Sequence, residues 1–155
     1  DIGDLQAEHI RLFVNAFGGA SCLPYESIYA EGRLLGGVTH DMAALYSNWS
    51  LEETGELPDH AAVELAFAAQ LARLAPALET QEDRDLARET LEAFERDHLR
   101  AWLPKLASDL CTAADLPFYK ALGDALQDVF GGAECASRTG ETEASSDNPN
   151  EGSRA

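Results

Sequence analysis

Apolar side chains recur every three or four residues along most of this chain and show no convincing period-two alternation, so the pattern predicts helices joined by turns rather than strands. Leu5, Ile10, Phe13, Val14 and Phe17 mark a first helix over roughly 4–17, with Gly18 and Gly19 as its stop. Between Ser21 and Gly37 the pattern breaks at Pro24, Gly32, Gly36 and Gly37. Tyr25, Ile28 and Tyr29 are too apolar for a solvated linker, so an ordered loop is expected there.

Thr39 is a candidate cap for a helix carrying Met42, Leu45, Tyr46 and Trp49, and Ser50-Leu-Glu-Glu53 reads as a capping box for a short extra turn. A third helix is expected to start near Pro58, with Val63, Phe67, Leu71, Leu74 and Leu78 as its stripe and Pro76 bending or ending it. Thr80-Gln-Glu-Asp83 resembles a capping box. Leu86, Leu91, Phe94, His98 and Trp102 should form the inward face behind it, interrupted by Pro104 and resumed by Leu106 and Leu110. Asp115 and Pro117 mark a last start, followed by Leu116, Tyr119, Leu122, Leu126 and Phe130 up to Gly131-Gly132. The prediction is an all-α, single-domain helical bundle over 1–132, with a disordered acidic tail over 133–155 that lacks the apolar side chains to offset its chain entropy.

Charge narrows the partners. A net charge of -17 on 155 residues argues against a nucleic-acid or anionic-membrane surface, because both would be repelled over much of the molecule. Cationic partners, including a basic peptide segment, are favoured. Cys22, Cys111 and Cys135 are odd in number and form no C-x-x-C, which suggests neither a disulfide framework nor a zinc knuckle and fits a reducing cytoplasm. No apolar run approaches a membrane span.

The stretch Glu56-Leu-Pro-Asp-His60 carries the most chemistry. Pro58 and Asp59 read as a helix start, and His60 at the positive end of a macrodipole should prefer to be neutral. Adjacent residues do not face each other on a helix, so Asp59 and His60 are a weak dyad. His60 with Glu64, and Glu95 with His98, have spacings that bring an imidazole and a carboxylate to one face. A metal-binding helical enzyme using His60, Glu64, Glu95 and His98 is therefore an alternative reading, although a di-iron bundle would need a second Glu-x-x-His element and two more glutamates. No G-x-S-x-G or strand-borne glycine loop supports a hydrolase or nucleotide enzyme.

Pro24-Tyr25-Glu26-Ser27-Ile28-Tyr29, then Asp41, Tyr46, Glu56-Leu-Pro-Asp-His60 and Glu64-Leu-Ala-Phe67, followed by Phe94-Glu-Arg-Asp-His-Leu-Arg-Ala-Trp102 and Pro104, resembles the TorD/DmsD/NarJ family of molybdoenzyme maturation chaperones. The resemblance covers roughly 5–130. It implies an all-helical, non-enzymatic cytoplasmic protein that binds a molybdopterin-dependent oxidoreductase subunit before cofactor insertion is complete. Some members of that family hold a twin-arginine signal peptide and so delay export.

On that resemblance Pro58, Asp59 and His60 are the first candidates for client binding, and Tyr25, Glu26, Tyr29, Asp41, Tyr46 and Glu64 the second. Carboxylates beside an aromatic groove that includes Trp49 would suit guanidinium groups followed by an apolar segment. The protein is expected to hold no cofactor of its own and to handle the client's molybdenum cofactor indirectly, with any nucleotide role left open. Monomer and helix-swapped dimer both stay open, and because members of that family usually carry helices ahead of the segment that starts at Asp1, the resemblance implies either missing upstream helices or an unusually open groove.

Overall fold

The computed structural model describes residues 1–14, 21–50 and 55–131. Every element in those stretches is helical apart from one isolated backbone bridge between Tyr25 and His60. The expected stop at Gly18-Gly19, the capping box through Glu53 and the tail over 133–155 lie outside the described residues.

Helix α1 spans Ile2–His9 and continues as a wide π turn over Ile10–Val14. It begins earlier than its apolar residues suggest because Asp1 and Asp4 form a reciprocal capping box. The wide turn admits one extra residue and rotates the face that follows. Leu12 lies one heptad beyond Leu5, on the face of the buried Glu8, and is itself fully buried, while Ile10 and Val14, expected inward, are exposed.

The expected loop over Ser21–Gly37 contains a six-residue helix, α2, at Glu26–Glu31. It ends at Gly32, whose φ of 71° is the left-handed conformation that glycine adopts without a Cβ penalty. Helix α3 spans Gly37–Asn48. Thr39 does not cap it. Thr39 is buried within its first turn, and the acceptor is Glu31, whose Oε1 takes the Val38 N–H at 2.9 Å.

Helix α4 runs Ala61–Leu74 and passes into a 3₁₀ turn, Ala75–Ala77, around Pro76. The start expected near Pro58 is thus displaced by three residues. Helix α5, Gln81–Phe94, is capped by Thr80, whose Oγ1 accepts the Asp83 N–H at 3.0 Å. A second π turn, Glu95–Leu99, joins it to α6, Arg100–Ala113. Pro104 does not interrupt this run. The wide turn lies just ahead of it, and widened backbone geometry of this kind accommodates a missing amide donor. Leu86, expected inward, is exposed on α5. Helix α7, Pro117–Phe130, starts on a proline at its first position and packs along α6.

The core lies where α4, the α5–α6 run and α3 meet. Phe67 packs edge-on against Phe94 with ring centroids 5.0 Å apart, and Tyr46 lies on Phe67 at 4.6 Å. Met42, Leu71, Leu99, Leu103, Leu106 and Leu110 fill the remainder, each contributing roughly 1.5–3 kcal/mol by leaving water. Helix α1 is tied to the α6–α7 corner by polar contacts. Glu8 accepts the Asp115 N–H at 2.7 Å and pairs with Arg11 at 2.8 Å, while Arg11 also donates to the Ala113 carbonyl. No helix among the described residues is long and apolar enough to cross a membrane.

Candidate functional site

Two short extended segments, one ahead of α2 and one ahead of α4, lie side by side and set the geometry of the site. Glu26 N–H donates to the Asp59 carbonyl at 2.9 Å, and Ala61 N–H donates to the Pro24 carbonyl at 2.9 Å. Proline fits at position 24 because no donor is required there, and its carbonyl does the pairing. The Tyr46 hydroxyl reaches over from α3 to the Pro58 carbonyl at 3.0 Å.

Asp59 is not a first-turn acid of α4. It is fully buried, and its Oδ2 accepts the Ser27 N–H at 3.0 Å, so it caps the start of α2 from the neighbouring segment. His60 is the N-cap of α4. Its Nδ1 accepts the Ala62 N–H at 3.1 Å, which puts the ring proton of the neutral tautomer on Nε2. Burial lowers the His60 pKa, with Glu56 and Asp59 opposing that shift. The ring stands edge-on to Tyr25 at 5.1 Å.

Behind this surface two further acids, Glu26 and Glu64, are interior. Glu64 is fully buried with Oε2 accepting the indole N–H of Trp102 at 2.9 Å, and Glu26 receives His98 Nδ1 at 3.0 Å. Desolvation, followed by the neighbouring Glu26, pushes the Glu64 carboxyl up to about 9. Tyr46 is buried and its phenol is raised, chiefly by desolvation. Tyr29 packs its ring on Trp102 at 5.4 Å and donates to Asp109 at 3.0 Å.

The structure therefore gathers Tyr25, Glu26, Tyr46, Pro58, Asp59, His60 and Glu64 around one junction, with Tyr29 one turn along α2. Asp41 is exposed on α3 and makes none of these contacts. Of the four acids expected to meet a guanidinium, Glu26, Asp59 and Glu64 sit behind the surface and Asp41 alone is on it. The expected aromatic groove is likewise altered, because Tyr46 is core and Trp49 packs against the core cluster. The four donors of the metal-enzyme reading do not converge. His98 pairs with Glu26, Glu64 with Trp102, and among the described residues no group of three or more His, Cys, Asp or Glu has metal-holding geometry.

What the junction presents outward is a cleft of about 400 Å³ between α1, the 56–60 segment and α7. Tyr25, His60 and Glu56 form one wall. Phe13, Val14, Phe118 and Leu122 form the other, and Phe118 and Val14 are 60% and 63% exposed. Sequence reasoning missed this apolar wall. Phe118 sits between the buried positions of the α7 stripe, and Val14, expected inward, is exposed.

The sequence model of the family described as Nitrate reductase delta subunit matches residues 1–108. The chaperone protein TorD of Vibrio cholerae serotype O1 (strain M66-2) is 34% identical over 116 residues, covering 72% of this chain and 52% of its own length. The TorD chaperone of Photobacterium profundum is 32% identical over 123 residues, covering 76% of this chain and 56% of its own. The chain spans about half the length of the curated relatives it matches. Among solved structures, that of a protein named "Putative Redox Enzyme Maturation Protein" from Archaeoglobus fulgidus superposes with a TM-score of 0.59 at 26% identity, over 84% of this chain and 68% of that one.

Proposed function

The chain belongs to the TorD/DmsD/NarJ family of molybdoenzyme maturation chaperones, and we propose that it binds the catalytic subunit of a molybdopterin-dependent oxidoreductase in the cytoplasm, holding its twin-arginine leader or apo form until the cofactor is in place. One observation carries this reading: the sequence motif that the helical pattern does not require, Pro58-Asp59-His60, ends on a half-buried imidazole at the rim of an exposed apolar cleft. An apolar stretch of a client fits the Phe13, Val14, Phe118 and Leu122 wall, while His60 and Glu56 supply polar contacts at its edge. The overall charge of -17 draws in a basic leader. The chaperone works without a cofactor of its own and meets the client's molybdenum cofactor only through the client.

Calorimetry of the full chain against a synthetic leader and against the apo catalytic subunit tests this. His60→Asn keeps an N-cap acceptor and Phe118→Ala removes a mostly exposed ring whose inner edge rests on Tyr119, so both variants should melt close to the parent. Each should weaken binding by about tenfold, the effect of truncating a central interface residue. Parental affinity in both variants would refute the assignment of this face.

A further inference from the structure

We propose that Glu26 and Glu64 form a carboxyl–carboxylate pair holding a single proton, and that this proton is the latch that closes α2 onto α4 and α6. The inference stands on the packing of the junction and needs no client.

The two side chains come from different helices and are both inside, Glu64 at 0% and Glu26 at 4% exposure. Trp102 on α6 satisfies one oxygen of Glu64 at 2.9 Å, but Glu64 Oε1 has no donor. Glu26 lies within hydrogen-bonding range of Glu64 and already accepts from His98 Nδ1 at 3.0 Å. Two ionised carboxylates in that position repel, and each lone pair left without a donor adds a desolvation cost. A proton on Glu64 Oε1 removes both problems. Glu64 becomes a donor to Glu26, and a continuous chain runs from the Trp102 indole through Glu64 and Glu26 to the His98 ring.

The groups facing the pair leave little alternative. Asp59 from the 56–60 segment adds negative charge, Tyr46 from α3 already donates to the Pro58 carbonyl, and Trp102 has only its one N–H. His98, on the π turn, is the member that reaches solvent. It also lines a second cleft with Leu45, Glu89 and Asp97, so protons have a route between the pair and water. Removing the proton places two adjacent negative charges behind Asp59 and the start of α2, and the junction should open there.

The test uses the full chain with Trp49→Phe, leaving Trp102 as its one tryptophan. Infrared spectra at pH 7 should show the stretch of a protonated carboxylic acid, and Glu64→Gln should abolish it. Urea unfolding between pH 7 and 9 should show the folding constant falling about tenfold per pH unit, one proton's worth, because the folded state holds a proton that the unfolded chain has lost. Below pH 7 the His60 shift acts with the opposite sign, which is why the window starts there. Glu64→Gln, whose amide replaces the shared proton with a fixed donor, should flatten that slope and hold Trp102 emission at its pH 7 value up to pH 9. Glu26→Gln builds the donor in from the other side and should do the same if the first variant folds poorly. A parental chain with no carboxylic acid band and no slope, or a Gln variant that keeps the parental slope, would overturn the proposal.

Discussion

Replacing Asp59 by alanine should destabilise the fold, and should affect a client only through that loss. The carboxylate is fully buried, and its Oδ2 is the acceptor for Ser27 N–H at 3.0 Å in the first turn of α2. Alanine leaves that N–H buried without a partner, and loss of a hydrogen bond to a charged acceptor costs about 1.5–3 kcal/mol. Part of this is recovered. Asp59 Oδ1 has no donor, and the charge adds to the field of Glu26 and Glu64, so removing it relieves a buried repulsion. The net expectation is a loss of about 2 kcal/mol, a fall of roughly 4–8 °C in melting temperature. Asparagine retains an acceptor oxygen and removes only the charge, so Asp59→Asn should stay within about 1 kcal/mol of the parent. Urea unfolding monitored by circular dichroism measures both variants. An alanine variant as stable as the parent would refute the capping role, and weakened client binding in that same stable variant would return Asp59 to the surface as a direct contact.

Glu8 offers the opposite pH behaviour from the buried pair. Its carboxyl is held below the usual range, first by Arg11 and then by the Asp115 and Leu116 amides, against the opposing effect of burial. Its contribution is therefore present above the unfolded carboxylate value and lost as pH falls through the folded one. Glu8→Gln should flatten the loss of stability below about pH 4.5 in urea titrations. Gly123→Ala tests the contact between α6 and α7, where a Cβ would meet Cys111 Sγ at 2.7 Å and the Ala107 carbonyl at 3.0 Å. Overpacking of about 1–3 kcal/mol should outweigh the helix-propensity gain of about 1 kcal/mol, and a rise in melting temperature would contradict it.

The long amphipathic stretches were legible because their stripes hold one period for several turns, as in Val63, Phe67 and Leu71 on α4. The two π turns were not, since one inserted residue shifts every later position while leaving composition unchanged. The run through Pro104 stayed helical, and Leu12, one heptad beyond Leu5, took the core place expected for Ile10 and Val14. Helix α2 escaped notice because its capping acid comes from Asp59, 32 residues away, rather than from a local Ser or Asp. The same separation explains the site. Local grammar placed Asp59 at the front of α4, and only the pairing of two segments distant in sequence shows that it serves α2 instead.

That pairing decides how the Pro58-Asp59-His60 motif should be understood. The backbone bonds between Pro24 and Ala61 and between Glu26 and Asp59 make the starts of α2 and α4 a single rigid unit, and Tyr25 and His60 are the two side chains that unit turns outward. Residues 58–60 consequently divide the labour: Pro58 offers its carbonyl to Tyr46, Asp59 anchors the neighbouring helix, and His60 meets the cleft. An acid and a histidine adjacent in sequence thus act on opposite sides of one wall. Substitution at either position would weaken client binding under the proposed function, but by separable routes. A loss caused by Asp59 should be accompanied by faster hydrogen exchange at Ser27, whereas a loss caused by His60→Asn should leave that amide as protected as in the parent.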